Sequence, residues 1–388
     1  MVVAQGIADV CLLSRNGVVR CRVDGARTQV EVLGEALAGE NIRSIVADPL
    51  HALRLYACST TEVYRSDDGG LTWQWLPAGG LTYREFWTMA VHPTRPDELY
   101  VGTLPAAVFV SQDGGKSFRE LSGIRDLPDF PRWTFPPPPH DSHPRVIALS
   151  AAAPDEIVVG IEEGGVIVSM DRGTTWRDIS GPPDASALPS TPNPTGLLAY
   201  EPSGHIEGRV HRDVHWLVRD PRRTERLFAT TGRGTYRTDD GGQHWRRLEY
   251  GIGGGYAVPI ALHPDGPERL FVGAAENGPP AWKGPKGPRT GPFTASRYSR
   301  DLSEQVGGAH AWVLRTEDAG ETWHKLENGL PTEYPYMISG LAIDPADPDA
   351  VYATYTDGSV FASSDAGSSW SKLMQGPPET FGIVLFQP

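Results

Sequence analysis

The stretch "RSDDGGLTWQWL", Arg65–Leu76, returns in altered form five more times along this 388-residue chain. The copies are "VSQDGGKSF" (Val110–Phe118), "VSMDRGTTW" (Val168–Trp176), "RTDDGGQHW" (Arg237–Trp245), "RTEDAGETW" (Arg315–Trp323) and "ASSDAGSSW" (Ala362–Trp370). Each has Ser or Thr two residues before an Asp, Gly two after it, and an aromatic five after it. The pattern reads as a hairpin turn. The Asp carboxylate accepts turn amides, the Gly takes a positive φ, and the aromatic packs against its own hairpin. Internal repetition on this scale constrains the fold more than any other feature of the chain.

A matching unit stands upstream of each turn. "FWTMAVHPTRPDELYVGT", "VHWLVRDPRRTERLFATT", "VPIALHPDGPERLFVGA" and "ISGLAIDPADPDAVYATY" share a strand, an Asp-Pro or His-Pro turn, and a second strand. With the third strand, the Asp turn and the fourth, each repeat makes a four-stranded antiparallel sheet, the blade of a β-propeller. The 44 Gly and 35 Pro suit an all-β chain rich in tight turns. Six complete repeats begin near Ile42, Phe86, Arg145, Val214, Ala257 and Ile338. Residues 8–33 supply three strands without an Asp turn, and Gly382–Phe386 reads as a lone innermost strand. Joining the two ends completes a seventh blade and closes the ring, which removes open sheet edges. The expectation is one all-β domain spanning 1–388, a seven-bladed propeller.

On these motifs the chain resembles the BNR or Asp-box repeat propellers. That superfamily has sialidase-like, sortilin-like, xyloglucanase and photosystem II assembly-factor-like members. The resemblance implies the fold and leaves the activity open, because the Asp turns lie at the blade periphery as scaffold. It also sets requirements that this chain does not meet. A sialidase needs an arginine cluster with an early F/Y-R-I-P segment, and "NGVVRCRV" holds Arg20 and Arg22 but no such segment. Xyloglucanase-type enzymes use two propellers, and this sequence accounts for one.

Net charge of −13 opposes binding to nucleic acid or anionic membranes. Three cysteines (Cys11, Cys21, Cys58) without C-x-x-C spacing read as reduced thiols. With no signal peptide and no apolar run long enough to span a bilayer, a cytoplasmic protein is expected. No P-loop or other phosphate-cradling motif is present, so no nucleotide cofactor is expected.

Three insertions break the repeat: 124–143, 182–213 and 276–310. The first two join an outermost strand to the next innermost one, and the third joins the second and third strands of the sixth blade. In an antiparallel blade both kinds of connection leave from the same end. The insertions are therefore expected to crowd one mouth of the central channel, and loops this long are commonly functional.

Polar residues at that mouth set the candidates. In "HRDVH" alternate residues of an extended strand share a side, which aims His211, Asp213 and His215 at the axis. "HDSHPR" brings His143 and Arg145 to the next blade, and the third insertion ends at His310. One reading is a divalent metal ion on His143, His211, His215 and His310. Another has Asp213 charging and orienting His215 as a general base beside His143, with Arg145 or Arg233 holding an anionic substrate. In a third, these histidines only tie down loops. Trp87, Glu162, Asn277 and Tyr336 complete the expected ligand-binding surface. The sequence thus points to a loop-capped site for a small polar or anionic ligand, served by His and Asp with or without a metal. A protein-binding scaffold is the alternative, and a glycoside hydrolase with Asp213 and either Glu162 or Glu163 as paired carboxylates is a third class.

Overall fold

The computed structural model describes residues 7–83, 85–135, 139–182, 207–251, 255–278, 308–332 and 334–386. They form seven antiparallel sheets of four strands each. The innermost strands of blades two to seven are β4 (Ile42–Ala47), β8 (Glu85–Val91), β12 (His143–Ser150), β16 (Val214–Arg219), β20 (Tyr256–Leu262) and β24 (Ile338–Asp344). Blade 1 takes β1 (Ala8–Ser14), β2 (Gly17–Val23) and β3 (Val30–Ala36) from the start of the chain and β28 (Thr380–Phe386) from its end. The innermost strands touch in the order β28, β4, β8, β12, β16, β20, β24, and β24 returns to β28. The ring has seven blades and is closed by pairing β28 with β1, as the repeat arithmetic requires.

Both faces of each blade are covered by neighbours, so the middle strands are buried over most of their length rather than at alternate positions. Leu99–Leu104 and Ala107–Ser111 are buried at every position. The core is a set of inter-blade layers: Tyr56, Val63, Phe86, Leu99 and Phe109 fill the gap between blades 2 and 3. At the seam between blades 1 and 7, the fully buried Arg27 guanidinium meets Asp344 at 3.1 Å and Asp347 at 3.2 Å. Removing one partner from such a buried pair typically costs about 3–5 kcal/mol.

All six Asp turns share one hydrogen-bond pattern. In the first, Ser66 Oγ donates to Asp68 Oδ1 at 2.8 Å, the Gly70 N–H donates to Ser66 Oγ, and the Thr72 N–H donates to Asp68. The motif glycine sits at φ of +88° with Cys11 Sγ only 2.8 Å from where a Cβ would stand, so no other residue fits. Trp73, Trp176, Trp323 and Trp370 bond the glycine carbonyl of their own turn. Trp245 departs from that expectation: its Nε1 donates to Ile179 O of the preceding blade, at 2.7 Å.

The three insertions fall between Arg119–Glu120 and β12, between Arg177–Asp178 and β16, and between Leu270–Ala275 and Ala311–Thr316. Much of the second and third, His205 and "KGPKGPR" included, lies outside the described residues. The first turns through two short 3-10 helices, Ser122–Asp126 and Phe130–Arg132, and buries Ile124, Leu127 and Trp133. All three cysteines are free and buried. No helix among the described residues is long and apolar enough to cross a membrane.

Candidate functional site

Every blade positions the mouth residues by the same device. Each innermost strand contains a β-bulge against the second strand, which leaves a residue out of the ladder. The skipped residues are Arg43, Trp87, Arg145, His215, Val258 with Pro259, Ser339 and, in blade 1, Phe381. A bulge twists the strand locally and re-aims the side chain. Contacts among these residues show the result. The Arg43 guanidinium lies 4.4 Å from the Trp87 ring centre and 5.9 Å from that of Phe381, and Arg145 lies 5.6 Å from Trp87.

Glu162 is the hub of the polar residues. It ends the second strand of blade 4 (Ala153–Glu162) and pairs in register with His143. His143 Nε2 and Arg145 Nε approach the same Glu162 oxygen, at 3.1 and 3.2 Å. Burial would raise the Glu162 pKa, but Arg145 and His143 outweigh it and hold the carboxylate far down, at about 2. Burial lowers the His143 pKa, and Glu162 opposes that shift. The Trp87 ring covers His143 at 3.7 Å, and Phe135 meets it edge-on at 5.2 Å.

A lone antiparallel bridge between Glu162 and Asp213 joins this group to blade 5. His215 Nδ1–H donates to the Ala257 carbonyl at 2.6 Å, which turns Nε2 toward Asp213 Oδ1 at 3.2 Å. The Tyr256 ring stacks on His215 at 4.6 Å. Burial works against the charged form of His215, but Asp213 and Glu162 prevail and raise its pKa. His211 is pushed the other way, to about 4, by burial and by the nearby Arg233, His215 and Arg212.

One ligand atom each from Glu162, Asp213 and His215 lies within 4.8 Å of the others, close enough for a single divalent ion to draw them together. His215 is 2% exposed, and the Asp213 side chain 13%. Several polar atoms here are sealed from solvent yet lack a well-formed hydrogen bond: Glu162 Oε2, His215 Nε2, His211 Nε2 and both His143 nitrogens. Such groups are costly to leave unsatisfied, and each needs an explanation.

The expected residues divide on this geometry. His143, Arg145, Glu162, Asp213 and His215 come together, with Trp87 against His143. His211 adjoins them, but not by strand alternation. The strand begins only at Val214, whose N–H bonds Arg212 O across a bend, and the bulge aims His215. The four-histidine metal set is not formed. His310 instead faces Glu276 at 3.0 Å, and carboxylates take the places beside His215. Asn277 is structural, its amide donating to Gly308 O at the base of the third insertion. Tyr336 packs with Tyr334 between blades 6 and 7. Arg233 acts on His211 through charge. Trp87 already carries His143 and Arg43 close to its ring centre, so it orients them rather than offering a platform. Arg43, Phe381 and Tyr256 were missed because they lie in no insertion. A usable signal existed: Arg43, Trp87, His215 and Ser339 each stand five residues before an Asp-Pro or His-Pro turn.

No family model matches the chain. It is 27% identical over 230 residues to the oligoxyloglucan-reducing end-specific xyloglucanase of Emericella nidulans, covering 54% of this chain and 24% of that protein. The chain thus spans about a quarter of that relative's length. Among solved structures, the GH74 xyloglucanase from Xanthomonas campestris superposes with a TM-score of 0.59 at 17% identity, over 86% of this chain and 45% of that one. YCF48 from Cyanidioschyzon merolae gives 0.53 at 16% identity, over 86% and 85%. These likenesses share a propeller fold. They carry no activity by themselves.

Proposed function

We propose that the channel mouth is the catalytic site of an enzyme acting on a small polar or anionic substrate, and that Glu162, Asp213 and His215 hold a divalent cation there. The observation that carries this reading is the state of His215. Its Nδ1–H is fixed on the Ala257 carbonyl, while Nε2 and the Glu162 oxygen are buried without a well-formed hydrogen bond. A histidine that donates one nitrogen to a carbonyl and aims the other at a carboxylate pair is arranged as metal-ligating histidines are. Three protein ligands leave coordination positions for water and substrate, and a cation so held supplies Lewis acidity. Around it, Arg145 keeps Glu162 ionised and Trp87 holds His143 in place. The Asp turns support placing the chain among the Asp-box propellers.

The sequence relation to xyloglucanases supports a second reading, glycoside hydrolysis by Glu162 and Asp213 without a metal. That chemistry needs one carboxyl kept protonated. Glu162 is driven the opposite way. Elemental analysis of the purified chain, with turnover assays on xyloglucan oligosaccharides and other glycosides, separates the two. The metal reading expects one divalent ion per chain, and loss of turnover on chelation that is restored by the ion. Chelator-insensitive glycoside cleavage that disappears in Glu162→Gln would replace it with the second reading.

A further inference from the structure

A second feature of the mouth plays no part in holding a cation. Arg43 is the bulge residue of blade 2, and among the described residues no carboxylate lies within ion-pair distance of it. Its neighbours are otherwise engaged: Arg145 with Glu162 at 3.2 Å, and Arg15 with Glu379 at 2.9 Å. Glu85 is near enough to act on Arg43 electrostatically but forms no ion pair with it. Arg43 Nε is sealed without a partner. The two terminal nitrogens are neither sealed nor hydrogen-bonded among the described residues. Burial, with Arg145 adding repulsion, brings the Arg43 pKa down to about 10, so it stays charged at neutral pH.

Largely buried charges are ordinarily paired. Here the aromatic rings of Trp87 and Phe381 fix the guanidinium, and its terminal N–H groups are left for something else. A planar fork of this kind matches a carboxylate. Arg145 is already paired with Glu162, whereas Arg43 has no ion-pair partner among the described residues and so suits a carboxylate.

We infer that Arg43, positioned by Trp87 and flanked by Arg145, binds the carboxylate of the ligand that enters the channel mouth. This deepens the reading above by naming the substrate class, a small carboxylic acid. It relies on the mouth being the site, though not on a bound cation.

The test is calorimetric titration of the full chain with D-glucuronate, D-glucose and acetate, run on chelator-treated and on metal-loaded protein. Glucuronate is expected to bind at least about tenfold more tightly than glucose, the worth of one charge-assisted contact. Arg43→Met should abolish that preference, and Arg43→Lys, which keeps the charge but not the fork, should retain part of it. Binding by acetate as well would support a site that needs only the carboxylate. Binding by glucuronate alone would support a sugar acid. Equal affinity for glucose and glucuronate, no carboxylate binding in either form of the protein, or an undiminished preference in Arg43→Met would overturn the inference. If Arg43→Met does not fold, the wild-type contrast and Arg43→Lys still decide. Failure of the cation reading alone would leave the preference intact in chelator-treated protein.

Discussion

Two aspartate–histidine pairs, one at the rim and one at the mouth, show how the same chemistry is put to different ends. At the rim, Asp240 accepts the His244 N–H at 2.9 Å, faces His244 Nδ1 at 2.8 Å and takes the Thr238 hydroxyl. Each of these partners lies within four residues of it. At the mouth, Asp213 faces His215 at 3.2 Å, and His215 reaches across to the next blade for its other hydrogen bond. There His215 Nε2 and the neighbouring Glu162 oxygen are buried in ion-pair contacts but make no well-formed hydrogen bond. A pair satisfied by its own turn is scaffold. A pair whose histidine is anchored on the next blade, and whose carboxylate meets Glu162 from the previous one, is where a ligand is expected.

The sharpest way to break this comparison is His215→Ala. Removing a direct ligand should cost more than the roughly 10–100-fold in metal affinity that supporting residues contribute. Turnover should go with it, while the melting temperature stays within a few degrees. A variant that binds metal as wild type does would erase the distinction.

Gly232→Ala probes the same pair without touching it. A Cβ at Gly232 would sit 2.2 Å from Asp213 Oδ2, so the carboxylate must move. The displaced carboxylate is itself one of the three ligands, so metal affinity should fall by at least about tenfold. Unchanged affinity, measured by competition with a chelating dye, would mean that Asp213 is not held where the cation needs it.

At the rim the expectation reverses. Asp240→Ala should lower stability by about 1–2 kcal/mol, because turn amides lose their acceptor, and should leave metal and ligand affinity alone. Denaturant melts and titrations on one preparation check both halves.

The smallest effect is acid lability shared among the turns. Partial burial opposes ionisation of Asp318, but bonds from Thr322 and Thr316 overcome it and hold the carboxyl at about 2. Asp68, Asp113, Asp240 and Asp365 are lowered in the same sense, against burial, and Asp171 chiefly by the Thr175 amide. Depressed folded pKa values contribute stability that is fully present above the unfolded value near 4. That contribution is lost as pH falls through the folded values toward about 2. The melting temperature should therefore drop over this window, and Asp318→Asn should lessen the drop slightly. A melting temperature flat down to pH 2 would contradict it.

How legible each region was follows from how local its interactions are. An Asp turn is complete within nine residues, so six copies counted the blades, and two incomplete ends revealed the closure at Thr380–Phe386. The mouth is assembled across blades. His143, Asp213 and His215 could be picked out because insertions flank them, but strand alternation could not explain how they meet. The bulges that aim Arg145 and His215 are a property of register, which appears only once neighbouring strands are paired. Arg43 shows the same limit: it looks like one more surface arginine until Trp87 is seen beneath it. His310 erred in the opposite direction, since proximity to an insertion placed it near the mouth while its nearest partner, Glu276, lies at the base of its own loop.

The most direct test of the account is titration of chelator-stripped protein with Mn²⁺, followed by the loss of the free-ion electron paramagnetic resonance signal. The account predicts one site per chain in wild type, the same site in Asp240→Ala, and none in His215→Ala. No binding by the wild-type chain, or equal binding by wild type and His215→Ala, would contradict it.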